Sequence, residues 1–266
     1  MSSPSPTTSN SRGETSSLWL LPPPQHPLHS VLTELIHSSL PALFPDHAAS
    51  RTAQPPVAPH FFPAHVTLTS EIPVSAYSEH PGGAQAWLEE VFARLRRLVE
   101  KREERKEMVR VRFGKVDGQD HFFRRCFIRV GFGAGVGKLA GMARAGAVIG
   151  EEVTVGEDGE VRFGEETERW LSWWQQAYGP HLSLMYGDQP VPEDILNEVA
   201  KVVRKAGVKL PGYDDDSADQ KDNQEHWHGW EGGVIWLVPT YKPISEWSTP
   251  IATLDLGSQV KEEREP

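Results

Sequence analysis

Cysteine and long apolar runs are scarce in this 266-residue chain, and each scarcity excludes a class of protein. The lone Cys126 excludes an internal disulfide and favours a reducing compartment or indifference to redox conditions. No apolar run approaches the roughly 20 residues of a membrane span. Residues 1–16 lack the apolar core of a secretory signal and are predicted to form a disordered tail. We therefore expect a soluble protein of the cytoplasm.

Basic residues are outnumbered, with 27 Lys and Arg against 37 Asp and Glu and a formal net charge of −10. A protein that neutralises many phosphates needs a net basic surface. The balance therefore argues against a long nucleic acid as partner, while it is compatible with a small phosphate ligand.

Two segments share one pattern: a histidine, an apolar residue, a hydroxyl residue and a second apolar residue. They are His65-Val66-Thr67-Leu68 and His181-Leu182-Ser183-Leu184, and no other of the eleven histidines stands in this pattern. In an extended strand the histidine and the hydroxyl share one face, while the aliphatic residues turn to the other. The two histidines are 116 residues apart, which suggests an internal duplication.

The rest of the chain predicts alternating strands and helices, with a helix after each motif strand. Strands are predicted at 17–21, 61–72, 181–186 and 233–240, with a hairpin at 109–130 around Asp117-Gly118. Helices are predicted at 28–40, 84–107, 138–147, 166–178 and 192–205. We interpret residues 17–250 as one domain, with flexible loops near 150–166 and 212–229 and a loose tail at 251–266.

The paired histidines suit concerted proton transfer, in which a neutral imidazole takes the proton of a water and an imidazolium opposite protonates the leaving oxygen. Thr67 and Ser183 lie one strand step further on and are placed to donate to non-bridging oxygens of a phosphate. A strained cyclic phosphodiester suits such a site without a metal, because ring opening needs a water in line with the leaving oxygen. Taken singly, either histidine also fits a structural role as a hydrogen-bonded residue of a sheet.

The motifs resemble the paired H-x-[ST]-x signatures of the 2H phosphoesterase superfamily. The segments SLWLLP (17–22), FGKVDGQDHFFRRCFI (113–128) and HLSLMYGD (181–188) are similar, more narrowly, to the fungal and plant cyclic phosphodiesterases. The resemblance implies an α+β, bilobal fold in which two antiparallel sheets face a central cleft, with helices outside and a pseudo-two-fold repeat. It implies His65 and His181 as general base and acid, in either order, and Thr67 and Ser183 as phosphate-binding residues.

The same resemblance implies the activity of a 2',3'-cyclic-nucleotide 3'-phosphodiesterase that uses no metal or other cofactor. The implied reactions convert ADP-ribose 1'',2''-cyclic phosphate to ADP-ribose 1''-phosphate and nucleoside 2',3'-cyclic phosphates to nucleoside 2'-phosphates. They place the enzyme downstream of tRNA splicing. The implied partner is a small cyclic phosphate, and we expect a monomer.

Trp19 and Tyr186 lie near the motifs and are candidates for stacking on a substrate base, although core packing explains both rings as well. Two alternative functions stay open. An RNA-end-processing 2H enzyme, 2'-5' ligase-like or an exonuclease, would need a basic groove, against which the net acidity argues. A non-catalytic nucleotide-binding module would bind such a ligand without turnover.

Overall fold

The computed structural model describes residues 14–48, 59–101, 109–133, 135–156, 160–211 and 227–257. The strands are β1 (Thr15–Leu21), β2 (Val66–Pro73), β3 (Arg110–Asp117), β4 (Cys126–Val130), β5 (Thr154–Val155), β6 (Val161–Arg162), β7 (His181–Met185), β8 (Gly229–Glu231), β9 (Val234–Val238) and β10 (Ala252–Asp255). The α-helices are α1 (Pro27–Glu34), α2 (Leu40–Leu43), α3 (Val74–Ser78), α4 (Gly83–Lys101), α5 (Val136–Arg144), α6 (Glu165–Trp173) and α7 (Glu193–Lys205). Within these ranges, no helix is both long enough and apolar enough to cross a membrane.

Short helical turns of other kinds complete the secondary structure. Turns of π-helix extend α1, α5 and α6 at their C-terminal ends, at Leu35–Ser39, Ala145–Ile149 and Trp174–Tyr178. Turns of 3-10 helix lie at Phe122–Arg124 and Ile244–Glu246.

Eight strands form one antiparallel sheet in the order β10-β9-β1-β2-β7-β4-β3-β8. Its two four-stranded halves meet where β2 pairs with β7 through Val66 and Leu182, which we call the central pair. On its other side, each motif strand pairs with an earlier strand of its own half-sheet, β2 with β1 and β7 with β4. Helical segments separate the paired strands in the chain, and the β5–β6 hairpin also lies between β4 and β7. This repeat agrees with the duplication inferred from the motifs. The predicted α+β class is confirmed.

The apolar residues of the motif strands belong to the hydrophobic core. Val66 and Leu68 of β2, like Leu182 and Leu184 of β7, are at most 1% exposed. Helix α5 packs against β2, and the π-helical turn after α1 packs against β7. Because side chains alternate along a strand, this packing leaves the imidazoles and hydroxyls of the motifs on the opposite face.

The loose tail predicted at 251–266 is wrong for its first residues. Residues 252–255 form β10, an edge strand paired with β9, because Ala252 and Leu254 alternate into the core. The folded domain therefore extends past residue 250, and at the other end β1 begins two residues before 17. Residues 1–13 and 258–266 of the predicted tails lie outside the described residues.

The two predicted loops also contain short strands. The loop near 150–166 holds a small hairpin of β5 and β6. In the loop near 212–229, residues 212–226 lie outside the described residues, and Gly229 begins β8, which pairs with β3.

The turn of the predicted hairpin at 109–130 is longer than expected, since β4 begins only at Cys126. The 3-10 turn before it is tied to both ends of β7 by two buried arginines. Arg124 donates to the carbonyl of Tyr178, and Arg125 Nε donates to the carbonyl of Gly187 at 2.9 Å. These side-chain bonds replace strand pairing in the segment.

We predict that Leu182→Ala lowers the free energy of unfolding by about 2–5 kcal/mol, because it leaves a cavity beside the central pair. The Leu182 side chain is 0% exposed. Leu43→Ala is the matched control, since Leu43 is 58% exposed. Urea denaturation followed by circular dichroism measures both. Equal losses in the two variants would contradict the core position of β7.

Candidate active site

The two histidines and two hydroxyls of the motifs lie together on one face of the sheet. Because antiparallel neighbours run in opposite directions, the central pair sets His65 opposite Ser183 and Thr67 opposite His181. Residues directly opposite in such a pair have Cβ atoms about 4.5–5.5 Å apart. The histidines are therefore diagonal neighbours, and each lies beside the hydroxyl of the other strand.

All four side chains line a cavity of about 250 Å³. Its other lining residues are aromatic or bear a hydroxyl: Ser17, Trp19, Ser70, Phe123, Tyr178, Tyr186, Thr240 and Trp247. Within the described part of the chain, no Lys, Arg, Asp or Glu lines this cavity. The same part holds no group of three or more His, Cys, Asp and Glu placed to bind a metal ion. The wall offers hydrogen-bonding groups and rings.

Both imidazoles have the same tautomer. His65 Nδ1 lies 2.6 Å from the carbonyl oxygen of Pro63, and His181 Nδ1 lies 3.0 Å from that of Gly179. A carbonyl oxygen only accepts, so Nδ1 carries the proton in each ring. Nε2 is then an acceptor when the ring is neutral and a donor when it is protonated. Nε2 is thus the nitrogen available for proton transfer in both histidines.

Local sequence places these carbonyl groups two residues before each histidine. Gly179 ends the π-helical turn that follows α6, with φ 67°, a left-handed conformation that favours glycine. Pro63 has a φ fixed by its ring, and β2 begins three residues later, at Val66. Different residues therefore produce the same hydrogen bond in the two motifs.

Aromatic rings bury both imidazoles. The His65 ring stacks on Trp19, with centroids 3.5 Å apart and planes 6° from parallel. The His181 ring lies 5.0 Å from the rings of both Phe127 and Tyr178.

This burial controls the charge of both rings. Loss of water around the imidazolium lowers the pKa of His65 to about 3 and that of His181 to about 4. The bonds to the carbonyl groups oppose this effect, while repulsion by His181 lowers the pKa of His65 further and repulsion by Arg124 does so for His181. Both imidazoles are therefore neutral at pH 7 in the empty cavity.

Each motif hydroxyl has a tyrosine nearby. The hydroxyl of Thr67 lowers the pKa of Tyr178, and that of Ser183 lowers the pKa of Tyr186. Burial has the larger and opposite effect and raises the pKa of both tyrosines, so each phenol keeps its proton. Ser183 Oγ also donates to the carbonyl oxygen of Phe123 at 3.0 Å. The Ser183 hydroxyl must therefore turn away from that carbonyl to donate to any other acceptor.

A buried arginine supports the second motif. The Arg124 guanidinium lies over the rings of Tyr178 and Phe127, 4.5 and 5.3 Å from their centroids, and donates to the Tyr178 carbonyl. Its Nε is buried with no hydrogen-bond partner in the described part of the chain. Arg124 thus fixes Tyr178 next to His181 and adds a positive charge close to that imidazole.

Trp19 and Tyr186 line the cavity as expected but have little exposed ring surface. They are 2% and 3% exposed, and one face of each is covered, that of Trp19 by His65 and that of Tyr186 by Phe62 at 3.8 Å. Their stacking on a substrate base stays a prediction. Phe123, which the sequence analysis does not single out, lines the same cavity and is 41% exposed. Its ring is the more accessible one.

Two further cavity residues were missed from the sequence. Tyr178 precedes the second motif by three residues, and this proximity is a signal that the sequence contains. Trp247 follows the 3-10 turn after β9 and meets the edge of Trp19 at 5.6 Å. No sequence pattern connects Trp247 with the motifs.

Comparisons with known proteins cover most of the chain. A family model described as "Cyclic phosphodiesterase-like protein" matches residues 15–256. The chain is 43% identical over 237 residues to the 2',3'-cyclic-nucleotide 3'-phosphodiesterase of Neurospora crassa, covering 89% of this chain and 97% of that protein. It is 36% identical over 243 residues to a protein of the same name from Phaeosphaeria nodorum, covering 91% of this chain and 98% of that protein.

The buried neutral histidines should make the protein sensitive to acid. Their folded pKa values lie below the unfolded value of about 6.5, so the unfolded chain binds more protons as the pH falls. The free energy of unfolding should therefore fall below about pH 6.5, by up to ~1.4 kcal/mol per pH unit for each histidine. Urea denaturation at a series of pH values between about 7.5 and 4.5 measures this slope.

Asparagine variants test the assignment to the motif histidines. His65→Asn and His181→Asn remove the titration but keep an amide donor for the upstream carbonyl, so each should make the slope shallower. His228→Asn, at an exposed position, should leave the slope at its wild-type value. A wild-type slope in both motif variants would show that these imidazoles are not the groups held neutral.

Proposed function

Because the chain belongs to the cyclic phosphodiesterase-like protein family, we propose that it hydrolyses nucleoside 2',3'-cyclic phosphates to nucleoside 2'-phosphates. The main support is the pair of imidazoles whose Nδ1 atoms are both bonded to backbone carbonyls, which leaves two Nε2 atoms at one cavity. In the reaction a water oxygen bonds to phosphorus and the bond from phosphorus to O3' breaks. One proton leaves the water, and one is added to O3'.

One neutral imidazole is the general base. Its Nε2 accepts the proton of the attacking water, while the carbonyl bonded to Nδ1 stabilises the positive charge that develops. Burial favours this role, because it keeps the ring neutral before the reaction.

The other imidazole is the general acid and must be protonated. A bound phosphodiester brings a negative charge into the cavity, and this charge raises the pKa of an adjacent imidazole. The substrate therefore favours the protonated acid, which gives its Nε2 proton to O3'. The diagonal placement of His65 and His181 suits an in-line displacement, in which the water enters opposite the leaving oxygen. Since the two motifs are related by the repeat, the orientation of the substrate decides which histidine is the acid.

The hydroxyls stabilise the charge on the phosphate. Thr67 and Ser183 donate to its non-bridging oxygens, where negative charge increases as the water attacks. Tyr178 and Tyr186 line the same cavity as these hydroxyls.

ADP-ribose 1'',2''-cyclic phosphate is a second substrate of the same site in this proposal. Its ring opens by the same steps, with cleavage of the bond from phosphorus to O2'' and retention of the 1''-phosphate. None of these steps uses a metal or other cofactor. A role downstream of tRNA splicing, a cytoplasmic location and a monomeric state stay predictions.

We predict that His65→Ala and His181→Ala each lower kcat for adenosine 2',3'-cyclic phosphate by at least about a hundredfold, since each removes one proton-transfer group. His228→Ala, at an exposed position, is the control and should keep wild-type turnover. Chromatography of the products should show the 2'-phosphate, in the presence of EDTA as in its absence.

Three results would contradict this proposal. Near-normal turnover in either motif variant would exclude the two-histidine mechanism. Much faster turnover of an RNA with a 2',3'-cyclic end than of the mononucleotide would favour the RNA-end-processing alternative. Binding without turnover by the folded wild-type protein would favour a nucleotide-binding module.

The pH dependence of kcat/KM should differ from that of kcat, because the cavity is empty in the free enzyme and occupied in the complex. The profile of kcat/KM reports on the free enzyme and that of kcat on the complex. The acid loses its proton as the pH rises, and the bound phosphate raises its pKa above the value of about 3 or 4 in the empty cavity. The alkaline limb of kcat should therefore lie at higher pH than that of kcat/KM. Coincident limbs, measured in steady-state assays, would contradict protonation favoured by the substrate.

A further inference from the structure

A second cavity, of about 200 Å³, adjoins the active-site cavity, and we call it the side cavity. Thr67, Ser70 and Tyr178 line both cavities. The other lining residues of the side cavity include Arg144 and Trp173, and the proposed reaction uses neither. A ligand bound at the histidines can thus extend past Thr67 and Tyr178 into a space with its own chemistry.

Arg144 has a guanidinium whose hydrogen bonding is incomplete. Its Nη1 lies 3.3 Å from the carbonyl oxygen of Ser70 and 3.3 Å from Glu71 Oε2, both at the long end of the range. Its Nε is buried with no hydrogen-bond partner among the residues that the structure describes. The side chain is only 15% exposed, and its guanidinium lies over the Trp170 ring at 5.2 Å. A buried donor without an acceptor is costly, and phosphate oxygens are acceptors that suit a guanidinium.

Trp173 adds an accessible aromatic surface to the same cavity. It is 53% exposed, although it is a large apolar side chain. On one side it meets Tyr178, with ring centroids 6.0 Å apart and planes 28° from parallel. An indole of this kind stacks on any nucleobase, because every base has a π-face.

Glu71 lines the side cavity and pairs with the arginine. Its φ of 66° is in the left-handed region, which is unfavourable for a residue with a side chain. Its carboxylate pairs with Arg144 and is 69% exposed. The carboxylate therefore provides a counter-charge that can move into water when another anion binds.

We propose that the side cavity binds the part of a substrate beyond the reacting ribose, namely a pyrophosphate and its distal base. Arg144 binds a pyrophosphate oxygen, and Trp173 stacks on the base. This inference rests on the proposed function, because the cyclic phosphate must lie between the histidines.

Charge favours a nucleoside diphosphate group over an RNA strand as the occupant. One arginine lines the side cavity in the described part of the chain, whereas a strand needs a series of cations along its backbone. The net charge of −10 points the same way.

The test compares kcat/KM for ADP-ribose 1'',2''-cyclic phosphate with kcat/KM for adenosine 2',3'-cyclic phosphate, which lacks the pyrophosphate and distal base. Trp173→Ala and Arg144→Gln should each lower this ratio by about tenfold, the effect of losing a stacked base or a charged hydrogen bond. Glu71→Gln should raise the ratio, because it removes a negative charge that competes for Arg144. A fall in the Glu71 variant would contradict the proposal.

Arg169→Gln is the matched control, since Arg169 lies on α6 close to Trp173 but is 71% exposed and pairs with Glu165. It should leave the ratio unchanged. If Arg144→Gln fails to fold, Trp173→Ala decides the question, because the ring that it removes is exposed.

Two outcomes would overturn the inference. One is an unchanged ratio in Trp173→Ala, which includes equal losses on both substrates. The other appears when a dinucleotide that ends in a 2',3'-cyclic phosphate is assayed as a third substrate, and it is a loss confined to that dinucleotide. Failure of the proposed function is distinguishable, since the wild-type protein would then not turn over adenosine 2',3'-cyclic phosphate at all.

Discussion

A single antiparallel residue pair, Val66 with Leu182, determines the geometry of the site. Side chains alternate along a strand, so a slip of one residue would turn every imidazole and hydroxyl of the motifs to the other face. Both residues of the pair are fully buried, and such a slip would place the histidines in the apolar core. The packing that stabilises the junction of the two half-sheets therefore also fixes the register of the motif residues.

The repeat around this pair is approximate, and its departures from symmetry lie in the surroundings of the histidines. His65 stacks on Trp19, whereas His181 lies beside the cationic Arg124. Thr67 lies between two cavities, while Ser183 donates to a backbone carbonyl. In the proposed mechanism the two motifs supply the same groups to the phosphorus. The differences around them allow the substrate to have different chemical groups on its two sides.

Sequence alternation predicted the buried faces of the motif strands, because a period of two in apolar and polar residues determines which face of a strand is buried. The start of the first strand was wrong, since β2 begins at Val66, five residues after the predicted position. The helices that follow the motifs were predicted from the spacing of their apolar residues, which repeats with the helical period of about 3.6 residues. Strands β8 and β10 were missed. They have three and four residues, too few for a periodic signal, and they exist because β3 and β9 offer them pairing partners.

The walls of the cavity were harder to predict than its centre. Phe123 is placed by the 3-10 turn that buried arginines tie to the ends of β7, and Trp247 by a turn after β9. Such positions depend on contacts between distant segments, which local patterns do not encode. A longer hydrogen-bonded turn also replaced the predicted start of β4, since buried guanidinium groups bind carbonyls there.

The charge distribution explains how an acidic protein can act on an anion. The active-site cavity has no charged side chain in its described lining, and burial keeps both imidazoles neutral when it is empty. In the proposed mechanism, an anionic phosphodiester makes protonation of one imidazole favourable, so the general acid forms where the substrate binds. The nearby cations, Arg124 and Arg144, lie against aromatic rings at the edges of the site. Attraction of the substrate therefore depends on a few buried groups at short range, and the sign of the overall charge has little effect on it, because solvent and salt screen distant surface charges.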